Sequence, residues 1–240
     1  QTVAKPLEVL RDRLDNVWSP VRHLHGVADS PALREAYAAC LGEVSNFQTE
    51  LGQNVALFEK LRTMASADGD DDVQDPEPWQ QPWLDYHLRA MRLTGAELAP
   101  DKRTRLAEIS KRLAELQREF SENVMDAAES FRLVIDDDNR LAGLPPDVIA
   151  NAKKRTTDGR AEFTLDFPVF FAVQSRGKDR SLREAMYRAW STRASDQSPS
   201  PPQFDNSGRM EDILSLRCEA AQLLGFDNPA ERSLATKMAA

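Results

Sequence analysis

The stretch PDKRTRLAEISKRLAELQREFSENVMDAAESF, residues 100–131, decides the fold. Its apolar positions Leu106, Ile109, Leu113, Leu116, Phe120, Val124, Ala127 and Phe131 follow one another in steps of three and four. That spacing returns side chains to one face of an α-helix. Pro100 stands at the start, where its missing N–H costs little because first-turn amides have no partner within the helix. A helix of this length runs roughly 40 Å at about 1.5 Å per residue, and its narrow apolar seam suits a hairpin of the coiled-coil kind. The chain therefore reads as a bundle of long antiparallel helices.

Upstream the same period continues. Leu7, Leu10, Leu14 and Val17 share one face of a first helix. Ser30-Pro31 then starts another, with Ser30 as the cap and Pro31 in the first turn. Leu33, Tyr37, Leu41, Val44, Phe47, Leu51, Val55, Phe58 and Leu61 carry it to about Arg62, either as two helices broken near Gly52 or as one bent helix. Ala65 to Pro82 is acidic and proline-containing and reads as a surface loop. Leu84, Leu88 and Met91 resume the helical signal.

Downstream of Phe131 the texture changes. Arg132 to Ile135 is a short strand-like run, and Ala161 to Phe167 alternates Phe163, Leu165 and Phe167 with polar residues. Pro145-Pro146 introduces a short helix through Ala152 between them. These segments predict a two-stranded sheet inserted into a mainly α protein. Helix returns at Ser181, where Ser181 and Glu184 fit a capping box. Ser195 to Asn206 reads as a loop, and a last helix from about Ser207 to Leu224 ends at Gly225.

A formal net charge of −8 argues against nonspecific nucleic-acid binding, which depends on clustered surplus cations. The basic run Lys153-Lys154-Arg155 falls at the expected end of a helix, where cations complement the exposed carbonyls. No apolar run reaches the roughly 18 residues of a membrane span. Cys40 and Cys218 are isolated thiols without metal or redox spacing, which fits a reducing cytoplasm. The chain begins at Gln1, so a trimmed N-terminus is expected.

Chemistry is sparse. A zinc peptidase of the H-E-x-x-H type needs two His one helical turn apart with a Glu between them. The three His are His23, His25 and His87, and none has that setting. His23 and His25 lack a third ligand nearby and read as polar loop residues after Pro20. Asp68-Gly69-Asp70-Asp71-Asp72 opens like a calcium loop but continues with Val73 where Gly is needed and Trp79 where a bidentate Glu is needed. It reads as a solvated loop, with Trp79 and Trp83 beside it as core anchors. No carboxylate pair, nucleophile elbow or phosphate-cradling loop stands out, so no catalytic, cofactor-binding or metal-ligating residue is assigned to this chain.

Several stretches nevertheless resemble a known family. They include Ser19-Pro20-Val21-Arg22-His23-Leu24, the run Ser30 to Tyr37, Asn123 to Ala127, and Leu141-Ala142-Gly143-Leu144-Pro145. Tyr187 to Gln197, Met210 to Arg217, Leu223-Leu224-Gly225-Phe226 and Ser233 to Ala239 follow in order. From about Leu7 to Ala240 the chain resembles the N-terminal part of the thimet oligopeptidase and neurolysin family of zinc metallopeptidases. Ser191 to Gln197 with Leu223 to Phe226 is specific to one bacterial branch of it. The resemblance implies a cytoplasmic enzyme whose two helical lobes face a channel that admits short peptides and excludes folded proteins. It also implies that the zinc ligands and transition-state donors lie downstream. Residues 1–240 are then expected to form an incomplete N-terminal lobe, partnered by its own catalytic domain and by short peptides, without zinc or activity of its own. The alternative is a stand-alone helical module that binds a peptide or a protein, with neither nucleic-acid nor membrane partners.

Overall fold

The computed structural model describes residues 4–66 and 79–238. The acidic run Asp68–Asp72 lies outside them. Ten α-helices and one two-stranded sheet occur among the described residues. They fall into two compact units, one of Gln1–Glu115 with Ser215–Ala240 and one of Leu116–Leu214.

In the first unit, α1 (Ala4–Val27) continues through Pro20 instead of giving way to a loop after it. Pro20 removes one backbone hydrogen bond from the helix interior. The turns beyond it are held by a ring stack. Trp18 lies parallel to Tyr37 of α2 (Pro31–Gly52) at 5.0 Å, and His25 covers Tyr37 at 4.2 Å. Ser30 Oγ accepts from the Leu33 amide at 3.2 Å and caps α2 as the sequence predicts. Helix α2 stops at Gly52 and α3 (Val55–Ser66) begins after it, which makes two helices of the run that the sequence left as two or one. A side chain at Gly52 would come within 2.5 Å of Thr94, at the end of α4 (Gln80–Thr94).

One cluster of this unit packs Phe58 and Leu61 of α3 against Leu84, Leu88 and Met91 of α4. Gln53 fastens its edge by donating to the carbonyls of Thr94 and Arg103, both at 3.1 Å. A second cluster joins Leu106 and Ile109 of α5 (Pro100–Ser130) to Ala220 of α9 (Ser207–Leu223). The Arg105 guanidinium closes a two-point ion pair on Glu219 beside it, at 2.7 and 2.9 Å. Gly225, at φ +82°, ends α9 in the left-handed conformation expected of it. Helix α10 (Pro229–Leu234) follows, capped by Asn228.

The second unit contains the predicted sheet. Strand β1 (Leu133–Ile135) pairs antiparallel with β2 (Ala161–Phe163) in the register Leu133 to Phe163 and Ile135 to Ala161. Helix α6 (Pro146–Lys153) lies between them in the chain, as the sequence suggests. Strand β2 is shorter than its alternation indicates, because Phe167 already opens α7 (Phe167–Arg176). Pro168 favours a first helical turn there, and short apolar runs do not by themselves separate strand from buried helix. Helix α8 (Arg180–Thr192) starts two residues earlier than the capping box implies. Asp179, not Ser181, is the cap. Its carboxylate accepts from the Leu182 amide at 2.6 Å, and the backbone amide and Arg140 together hold its pKa below the usual carboxylate value.

This unit's core joins Phe163, Leu165, Val173, Leu182 and Met186. The unit also holds a buried amide. Asn206, 1% exposed, accepts from Asn123 Nδ2 and donates to the Phe120 carbonyl, both at 3.0 Å. Asn206→Ala removes both bonds and strands the Asn123 amide, so a loss of about 1–3 kcal/mol is expected in urea denaturation, with the midpoint moved and the slope unchanged. Gly143→Ala will cost at least as much. Gly143 sits at φ +87°, and a methyl there is driven into the Arg176 carbonyl. A stability equal to the parent's for this variant would contradict the packing described.

Candidate functional site

The residues that the sequence offers for chemistry do not converge. His23 and His25 are not in a loop but on the last two turns of α1. Two positions apart on a helix point to roughly opposite sides, so the pair cannot share a metal ion. His25 is spent on the Tyr37 stack and is buried. Among the described residues no group of three or more His, Cys, Asp or Glu side chains is placed to hold a metal ion. Cys40 is exposed and Cys218 half-buried, both free thiols. The basic run at the end of α6 is partly neutralised, with Lys153 Nζ donating to Asp138 at 2.7 Å and Arg155 lying 3.8 Å from Asp166.

Among the described residues, a buried polar constellation with ionisable partners surrounds His87. Helix α4 buries Leu84, His87, Leu88 and Met91, positions separated by three, four and seven residues. A histidine therefore occupies an interior position of an otherwise apolar face. Its Nε2 lies 2.9 Å from Glu8 Oε1 and its Nδ1 lies 3.3 Å from Arg11 Nη1. Arginine can only donate, so Nδ1 is the acceptor and the proton of the neutral ring sits on Nε2, directed at Glu8. Trp83 tilts over the ring at 4.1 Å, Tyr86 meets it edge-on at 5.0 Å, and Trp83 Nε1 adds a bond to Glu8 at 3.3 Å. Trp83 is thus an anchor as predicted. Trp79 is half exposed and is not.

Burial is the main cause that lowers the pKa of His87 below 6.5, and the Arg11 charge adds to it. The Glu8 carboxylate acts in the opposite direction without overcoming them. The neutral imidazole is the form that the site favours. The arrangement is a polar tie between α1 and α4. A cavity of about 220 Å³ lies beside it, entered past Arg11, Asp15 and Gln48 and floored by Leu51, Leu61 and Met91.

The second unit has a smaller hollow of about 190 Å³ between α6 and β2, lined by Asn151, Arg155, Glu162, Phe163 and Thr164. Its surface also carries an aromatic patch. Phe167 and Phe171 are exposed and stack at 5.9 Å, and Trp190 takes Phe170 on one side and the Arg193 guanidinium at 3.8 Å. The position of His87 on an apolar face was visible in the sequence. Its partners Glu8 and Arg11, more than seventy residues away, were not.

Residues 1–103 match the model described as "Neurolysin/Thimet oligopeptidase, N-terminal domain", and residues 173–240 match "Peptidase family M3". The chain is 41% identical over 242 residues to "Oligopeptidase A" of Escherichia coli (strain K12), covering 100% of this chain and 35% of that protein. It is 40% identical over 237 residues to "Oligopeptidase A" of Haemophilus influenzae, covering 98% and 34%. To "Probable cytosolic oligopeptidase A" of Arabidopsis thaliana it is 34% identical over 247 residues, covering 99% and 34%. The chain spans about a third of the length of these curated relatives. Among the described residues no helix is long and apolar enough to cross a membrane.

The polar tie makes stability depend on pH. In the unfolded chain a histidine takes up its proton near 6.5, whereas folded His87 resists it. Below that pH the unfolded state binds more protons, so stability is fully present above 6.5 and is lost as the pH falls. Urea denaturation at about pH 7.5 and about pH 5 should show this loss, and His87→Gln should flatten the slope between them while lowering stability at the higher pH.

Proposed function

Because the chain belongs to peptidase family M3 and matches the N-terminal part of oligopeptidase A relatives from end to end, we propose that it forms a helical wall of a zinc-dependent oligopeptidase. The whole enzyme, in this reading, hydrolyses short peptides in the cytoplasm. Residues 1–240 belong to its N-terminal lobe, whose partner is the catalytic domain of the same protein. The observation that carries the reading is identity along the full chain to proteins of which the chain spans about a third.

The zinc of that enzyme does not fit the described residues, which bring no sufficient ligand set together. No step of hydrolysis is therefore assigned to this polypeptide. Its contribution is exclusion and shape. A stiff helical wall limits access to a channel by size, and size selection of this kind suits an enzyme that takes short unfolded chains.

The test is an assay of the purified 240-residue chain with a quenched fluorescent peptide in the presence of added zinc. No turnover is expected. Zinc-dependent, chelator-sensitive cleavage by this polypeptide would overturn the assignment of the chemistry to another part of the enzyme. The reading also requires the coding frame to contain an H-E-x-x-H motif beyond the region of these residues, and a frame without one would favour the stand-alone binding module.

A further inference from the structure

The cavity beside His87 has two kinds of lining. Its floor is apolar, built from Leu51 of α2, Leu57 and Leu61 of α3 and Met91 of α4. Its volume of about 220 Å³ exceeds the roughly 150 Å³ of an apolar cavity that takes up benzene. The cavity as a whole, mouth included, thus has room for one small molecule of leucine or phenylalanine size.

The mouth carries both signs of charge. Arg11 and Asp15 stand one helical turn apart on α1 and line the same opening. No ion pair closes between them. The single side-chain bond of Arg11 among the described residues goes to the neutral acceptor His87 Nδ1, which leaves other guanidinium N–H groups to donate. Asp15 is exposed at the rim and makes no hydrogen bond or ion pair among the described residues. A cation and an anion held near each other, above an apolar floor, complement a molecule with a carboxylate and an ammonium on one carbon and an apolar group attached to it.

We propose that this cavity binds a free α-amino acid with a large apolar side chain. Arg11 receives the carboxylate by charge-assisted hydrogen bonds, Asp15 receives the ammonium, and the side chain displaces water from the leucine floor. Because α1 supplies both charged groups and α2 to α4 supply the floor, the bound molecule ties α1 to the helices beneath it. The site does not depend on the peptidase reading, since it uses no residue assigned to hydrolysis.

Isothermal titration of the 240-residue chain with L-phenylalanine tests this. One saturable site of millimolar order is expected for so small a ligand. Glycine, 3-phenylpropionate and 2-phenylethylamine each lack one of the three recognised groups, and each should bind about tenfold or more weakly. Arg11→Met should weaken phenylalanine and 3-phenylpropionate but leave 2-phenylethylamine unchanged. Asp15→Asn, at an exposed position that folding does not need, should weaken phenylalanine and 2-phenylethylamine but leave 3-phenylpropionate unchanged. Absence of saturable heat, glycine binding as well as phenylalanine, or an Asp15→Asn variant that binds phenylalanine like the parent would each overturn the proposal.

Discussion

A polar group buried in a helical core costs roughly 1–3 kcal/mol unless it finds a partner, and the helix packing of this protein is arranged around meeting that demand. Among the described residues no buried side-chain nitrogen or oxygen is left without a hydrogen bond. His87 takes Glu8 and Arg11 from α1. Asn206 takes Asn123 and the Phe120 carbonyl. Gln53 takes the carbonyls of Thr94 and Arg103. Each of these bonds fixes which segments lie side by side, because an apolar contact tolerates sliding and a hydrogen bond does not. Narrow seams need such pins. A helix as charged as α5 offers little apolar area, so the position of its neighbours is set by a few directed contacts.

The sequence spends its polar interior on registration, with His87, Asn206 and Gln53 each bonded to a distant segment. Its carboxylates are correspondingly engaged with arginines on the surface, as in Arg105 with Glu108 and Arg112 with Glu115. Exposed pairs of this kind add little to stability. They keep a long helix soluble while its other face is covered.

Most of the helices were legible because their signal is local. The three-and-four spacing of residues 106–131, the Ser30-Pro31 start and the Gly225 stop each act within one or two turns. The structure departs from these local rules where a distant contact or a neighbouring residue outweighs them. Pro20 suggests an end to α1, but Tyr37 stacks against Trp18 and His25 and the helix continues. Ser181 and Glu184 suggest a cap, but Asp179 offers a carboxylate that also meets Arg140. The run from Phe163 to Phe167 alternates like a strand, yet Pro168 turns its end into a helix. The candidate site was legible only as a histidine at an interior position. Glu8, Arg11 and the cavity beside them exist through tertiary contact, which no spacing within α4 encodes.

Helix α1 differs from the other helices of its unit in what holds it. Leu10, Val17 and Leu24 are turned to solvent, whereas α3 and α4 share a buried cluster. The fastenings of α1 are a ring stack and the polar contacts of His87. Elements with few buried apolar contacts open at lower free energy than the global transition. The amides of α1 should therefore exchange with deuterium before those of α4, in an opening that unroofs the cavity while the α3–α4 pair stays closed.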